Sequence, residues 1–201
     1  MRSIKLLLIL CAFLIANPLS GQDLEKQLDK APRVLHLSTH GFFLEEKKNR
    51  SLSDEVPLLL SGLALAGANR GLADELNKDG EDGLLYALEV LGLNLQGTEL
   101  VSLSGCDTGK GVVDYSEGVY GLVRAFRTAG AQSVLMTLRP IGDEAAKDFM
   151  IYFYKQWLTS KNKISAATAL HQTHLHFINH PKKPEYRDPA VWSPYVLVGA
   201  I

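Results

Sequence analysis

Three short apolar runs, each leading into a glycine-bearing loop, constrain the fold of this chain more than any other feature. Val34-Leu35-His36-Leu37-Ser38 runs into Thr39-His40-Gly41, and Glu99-Leu100-Val101-Ser102-Leu103-Ser104 runs into Gly105-Cys106-Asp107-Thr108-Gly109-Lys110-Gly111. The third, Ser133-Val134-Leu135-Met136-Thr137-Leu138, ends at Pro140 and Gly142. Runs this short and this continuously apolar predict strands buried on both faces. Helical stretches follow the second run at 117–129 (closed by Gly130) and the third at 144–159 and 164–178, and Tyr195-Val196-Leu197-Val198-Gly199 reads as a last strand. Alternation of this kind predicts an α/β fold, a mainly parallel sheet with helices on both faces. In such sheets sites gather at the carboxyl ends of strands. That rule singles out Thr39-His40-Gly41, Gly105-Cys106-Asp107 and residues 139–143.

The remaining segments are less regular. Residues 58–66 are apolar and open to strand or helix, and residues 84–91 carry Leu84, Leu85, Leu88 and Leu91 at helical spacing. Residues 23–30 are polar and helix-compatible, while 45–55, 69–82 and 179–190 read as charged or proline-rich loops. At the start, Arg2 and Lys5 precede the apolar run from Leu6 to Ala16, which meets Asn17-Pro18. That layout is a signal-like leader over 1–21, too short for a comfortable membrane span, with the domain proper expected over 22–201. A true signal implies a secreted or periplasmic protein, and otherwise a cytoplasmic one. With the leader removed, Cys106 is the only thiol left of the two, Cys11 and Cys106. The formal net charge of −1 supplies no basic excess for nucleic acid.

Cysteine chemistry needs a group that holds the thiolate and donors for the oxyanion. His40 and Cys106 each directly follow a buried run, and stand side by side if those two strands are neighbours. His40 is then base to the thiol and acid to the leaving amine. Spacing alone leaves a structural reading of both residues open.

The local text narrows it. Val34 to Phe43 resembles the histidine motif of the CHAT domain family, caspase-like proteins related to separase and often joined to tetratricopeptide repeats. Leu100 to Gly109 resembles its cysteine motif, and Glu117-Gly118-Val119-Tyr120-Gly121-Leu122-Val123-Arg124-Ala125-Phe126 the helix after it. Ala129-Gly130-Ala131, Asp143-Glu144, Ala169-Leu170 and the closing Trp192-Ser193-Pro194-Tyr195-Val196-Leu197-Val198-Gly199 follow in the family's order. The resemblance implies a caspase-like three-layer fold and a cysteine endopeptidase forming a thioacyl intermediate. It implies His40 and Cys106 as the catalytic pair, the backbone N–H groups of Gly41 and Cys106 as oxyanion donors, and no cofactor. It implies a protein or peptide substrate, with a repeat-containing or regulatory protein as a further partner. Asp143 stands where the family's acidic pocket residue favours a basic side chain before the cleaved bond; it is equally placed to cap the following helix. Asp107 is a second pocket candidate, or a solvated turn residue.

Two departures stand out. Leu138-Arg139-Pro140 puts an arginine where the family has tryptophan, which adds positive charge near the expected pocket. The family also has strand and helix units before the histidine strand, and only the leader and a polar segment precede it here, so an open sheet edge is expected. Both favour an alternative, a catalytically silent interaction module. His36 lies four residues before His40 on one strand, so both are expected to point to the same side, and His36 reads as a core residue. His171, His174, His176 and His180 could share helix faces, but lack a nearby acidic or cysteine partner, so no metal is assigned.

Overall fold

A computed structural model describes the backbone of Leu6–Leu10 and residues 30–43, 58, 61–71, 73, 82–104, 115–160 and 163–199. In chain order the elements are β1 (Leu6–Leu10), β2 (Val34–Ser38), β3 (Gly41–Phe43), β4 (Ser61–Ala64), α1 (Ala68–Gly71), β5 (Leu84–Tyr86) and α2 (Ala87–Val90). Then follow β6 (Leu100–Ser104), α3 (Tyr115–Thr128), β7 (Ser133–Thr137), α4 (Asp143–Thr159), α5 (Ala166–Ile178), a 3-10 turn (Pro184–Arg187), α6 (Pro189–Trp192) and β8 (Tyr195–Gly199).

The main sheet has five strands in the order β1-β2-β6-β7-β8, parallel except for β8, which runs antiparallel to β7. The three strands expected from the apolar runs are its centre. Period-2 alternation sends their side chains to two cores. Leu35, Leu37, Val101, Leu103, Val134 and Met136 pack with Leu122, Val123, Ala125 and Phe126 of α3 and with the β4–β5 region. Val34, Leu100, Leu135 and Tyr195 pack with Phe149, Phe153 and Trp157 of α4 and with Ala169, Leu170 and Phe177 of α5. Helices on both faces of a mostly parallel sheet are the three-layer, caspase-like arrangement expected.

The run Leu6–Leu10, expected as the apolar heart of a leader, forms β1 and pairs along its length with β2. A short apolar run satisfies either role, because periodicity does not separate them. The outer edge of β2, expected to be open, is therefore covered by a strand.

A second, three-stranded antiparallel sheet, β3-β4-β5, lies beside the first. Its strands are too short for alternation to be seen in the sequence. Residues 84–91, expected as one helix, split into β5 and α2: Leu84 and Leu85 enter the core while Leu88 is exposed. Gly83 (φ 74) makes the turn into β5, where an added Cβ would meet Ala68 N at 2.4 Å. Gly130 (φ 115) closes α3 in the left-handed conformation expected of a helix-ending glycine. Of the expected helix over 23–30 only Lys30 is described, as a bend, and the loop over 45–55 lies outside the described residues.

Candidate functional site at the strand carboxyl ends

β2 and β6 are hydrogen-bonded neighbours in parallel, with Val34 opposite Leu100, His36 opposite Ser102 and Ser38 opposite Ser104. Both strands stop at these last partners. His40 follows Ser38 by two residues, as Cys106 follows Ser104. Cys106, Asp107 and the rest of 105–114 lie outside the described residues.

The chain leaves β2 under restraint. The Thr39 hydroxyl donates to the Ala64 carbonyl, and Ala64 N donates to the His40 carbonyl at 2.8 Å. These bonds pin the turn to the end of β4, so His40 sits between β2 and β3 with its side chain exposed. The expectation that His36 and His40 share one side of one strand fails for this reason: β2 ends at Ser38, His36 is buried against α4, and His40 faces solvent.

Gly41 pairs with Leu63. The bond from Ala64 N to His40 O flanks that pair, which makes it a non-hydrogen-bonded pair of the antiparallel ladder. The N–H of Gly41 therefore points away from β4. Phe42, the next residue, lies over Gly62, where a Cβ would come within 2.6 Å of its ring, and meets Tyr86 edge-on with centroids 5.4 Å apart.

At the third strand end, Leu138 N donates to the Pro194 carbonyl at 3.0 Å and Arg139 Nη2 donates to Ser193 Oγ at 2.8 Å. The arginine is thus drawn toward the entry to β8, on the far side of β7 from β6. Asp143 is exposed and is the first residue of α4; the N-cap is Gly142, and no side chain caps that end. The capping reading of Asp143 is corrected accordingly, because the residue falls one place too late.

The four histidines of the α5 region are spread over several contacts. His174 packs against Phe149 and Trp192, with centroids at 5.7 and 5.8 Å, and His176 stacks on Tyr152 at 3.9 Å. His180 Nδ1 accepts from Lys183 N at 3.0 Å. Burial is the main cause that lowers the pKa of His174 and of His176, and a neighbouring histidine adds to it in each case. Among the described residues no three His, Cys, Asp or Glu side chains converge as a metal site.

One buried polar cluster escaped the sequence reading. Tyr154 of α4 reaches the sheet, where its hydroxyl lies 3.2 Å from His36 Nδ1. Burial lowers the pKa of His36 to about 4, which leaves the ring neutral near pH 7. Burial pushes the Tyr154 phenol up to about 12, against the opposing effect of Ser102 beside it. Ser102 Oγ is buried there without a well-formed hydrogen bond. The signal was present in the text: the middle residue of VLHLS and of LVSLS is polar in both.

Residues 6–200 match the family model described as CHAT domain, a match that takes in β1 as well as the strands after it. Over 117 residues, 58% of the chain, the sequence is 34% identical to tetratricopeptide repeat protein 28 of Homo sapiens. It is 33% identical to the Mus musculus protein of the same name over the same length. The aligned stretch is 4% of the length of each of these relatives.

Proposed function

The chain belongs to the CHAT domain family, and on that premise we propose that it is a cysteine endopeptidase acting through His40 and Cys106. The observation that carries the reading is the register of Ser38 on Ser104 in neighbouring parallel strands. Each residue of the pair follows its strand by the same two positions.

The chemistry follows from those side chains. The His40 imidazole takes the proton of the Cys106 thiol, and the thiolate adds to the carbonyl carbon of the scissile peptide bond. The oxyanion accepts from the N–H groups of Gly41 and Cys106. The direction of the Gly41 N–H, away from β4, supports this assignment. Collapse breaks the C–N bond, the amine leaves with the proton from His40, and a thioester remains on Cys106. Water, deprotonated by His40, hydrolyses the thioester and regenerates the thiol. Asp143, exposed on the first turn of α4, and Asp107 are the carboxylates proposed to take a basic side chain before the cleaved bond.

The alternative is a silent module that keeps the fold and binds a protein partner, such as a repeat-containing protein. The arginine at 139, where the family has tryptophan, favours it, and so do relatives named for their repeats. A basic acyloxymethyl ketone probe separates the two readings. The peptidase labels at Cys106, and Cys106→Ala does not. Equal labelling of both proteins, or none of either, sinks the peptidase.

A further inference from the structure

We propose that Tyr154 is a positioning residue that fixes the register of β2 on β6 through His36 and Ser102, and so sets His40 against Cys106. The inference rests on the peptidase reading for its consequence, and on two buried side chains and a half-buried tyrosine for its geometry.

The apolar pattern of the two strands does not specify their register. Leu35 and Leu37 on β2 and Val101 and Leu103 on β6 all face the α3 core. A slip of one residue would turn these side chains out of that core, but a slip of two keeps every residue on its own face. Such a slip would displace the end of β2 at Ser38 from the end of β6 at Ser104 by about 6.6 Å along the strands. On that core, then, the two registers look alike.

The opposite face distinguishes them. His36 and Ser102 are direct partners across β2 and β6, only 7% and 1% exposed, in a layer otherwise filled by Val34, Leu100 and aromatic rings of α4. Tyr154 reaches His36 from α4, its hydroxyl 3.2 Å from His36 Nδ1 and its ring centroid 5.7 Å from that of the histidine, beside the buried hydroxyl of Ser102. A two-residue slip of β2 would carry His36 away from the phenol and leave its ring buried without that partner, a cost the apolar face does not impose. The two polar residues each stand four positions before the catalytic pair, His36 before His40 and Ser102 before Cys106. A clamp there acts on the alignment of both strand ends, in addition to the bond from Glu99 N to the Arg33 carbonyl at 2.8 Å that sets the strand starts.

The test compares Tyr154→Phe and the triple variant His36→Leu/Ser102→Ala/Tyr154→Phe with the wild-type chain. Readouts are the melting temperature, kcat and KM on a peptide substrate, and backbone NOEs between β2 and β6. Tyr154→Phe is expected to stay folded and to lose about tenfold in kcat, with KM within about twofold, as misalignment of reacting groups predicts. The triple variant replaces the whole polar set by apolar groups. It is expected to recover the melting temperature without recovering kcat, and to show Leu37–Val101 NOEs beside the native Leu37–Leu103 set. Wild-type kcat in the triple variant, or a loss in Tyr154→Phe that tracks the melting temperature alone, overturns the proposal. If the wild-type chain neither turns over peptide nor labels at Cys106, the peptidase reading fails by itself. The NOEs then decide the clamp: a second register in the variants upholds it, and a single native set overturns it.

Discussion

Ser38 and Ser104 are direct partners at the carboxyl ends of two neighbouring parallel strands. Beyond them the chain gives His40 and Cys106 at equal offsets, with the His40 carbonyl tied to Ala64. In the proposed pair the imidazole stands beside the thiol, and such a neighbour lowers a thiol pKa from its free value of about 8.5. In the wild-type chain, alkylation of Cys106 by iodoacetamide is therefore expected to stay fast well below that pH. In His40→Ala the profile moves up toward it, and peptide turnover falls by about 10²–10⁴-fold. An alkylation profile that does not move on removal of His40 refutes the pairing.

Burial of His36 makes a separate prediction about stability. Its folded pKa, about 4, lies below the ordinary 6.5, so the unfolded chain binds the proton more readily. The contribution is fully present above about pH 6.5 and is lost as pH falls toward 4, on the order of 3 kcal/mol in total. His174 and His176 are shifted the same way and add to the slope. Urea unfolding from pH 7.5 to 4.5 should show falling stability, and His36→Leu should flatten that dependence while leaving part of it. A variant as steep as the wild type contradicts the assignment.

Gly62 reports on the small sheet that holds the His40 turn. A Cβ there would lie 2.5 Å from the Leu85 carbonyl oxygen and 2.6 Å from Phe42 Cζ. The ring could turn aside, but the carbonyl belongs to the β4–β5 pairing and has no such freedom. Gly62→Ala is expected to cost about 1–3 kcal/mol, seen as a fall of about 5 °C in melting temperature. Because β4 also carries Ala64, which binds both Thr39 and His40, activity should fall with it. Unchanged melting would show that β4 relaxes freely at this point.

These sites differ in how plainly the sequence carries them. The central strands were legible because VLHLS, LVSLS and SVLMT are continuously apolar apart from isolated polar positions, and full burial leaves that mark. β1 was legible as an apolar run but not as a strand, since the partner that makes it one is β2, across a long segment of chain. The three-residue strands β3 and β5 were not legible, because stretches that short show no period; tertiary pairing with β4 makes them strands. His40 was singled out by its place after a strand. Tyr154 was hidden within a helix whose other aromatics are core residues, and only the parallel register shows that two polar strand positions converge on it.

As proposed substrate contacts, Asp143 and Arg139 would make opposing demands on a basic side chain, and this opposition is testable. Asp143 caps nothing and is exposed at the start of α4, so its carboxylate is not committed to holding the helix. Arg139 is held to Ser193 and places a cation at the neighbouring strand end. If Asp143 receives a basic side chain, Asp143→Asn should lower kcat/KM for arginine-containing peptides by about tenfold, the loss of one charge-assisted hydrogen bond. Peptides with leucine at the same position should be cleaved as before. Arg139→Trp removes the competing cation and should shift preference toward arginine peptides. Parallel changes for arginine and leucine peptides in both variants would remove Asp143 and Arg139 from substrate selection and leave them to helix and loop structure.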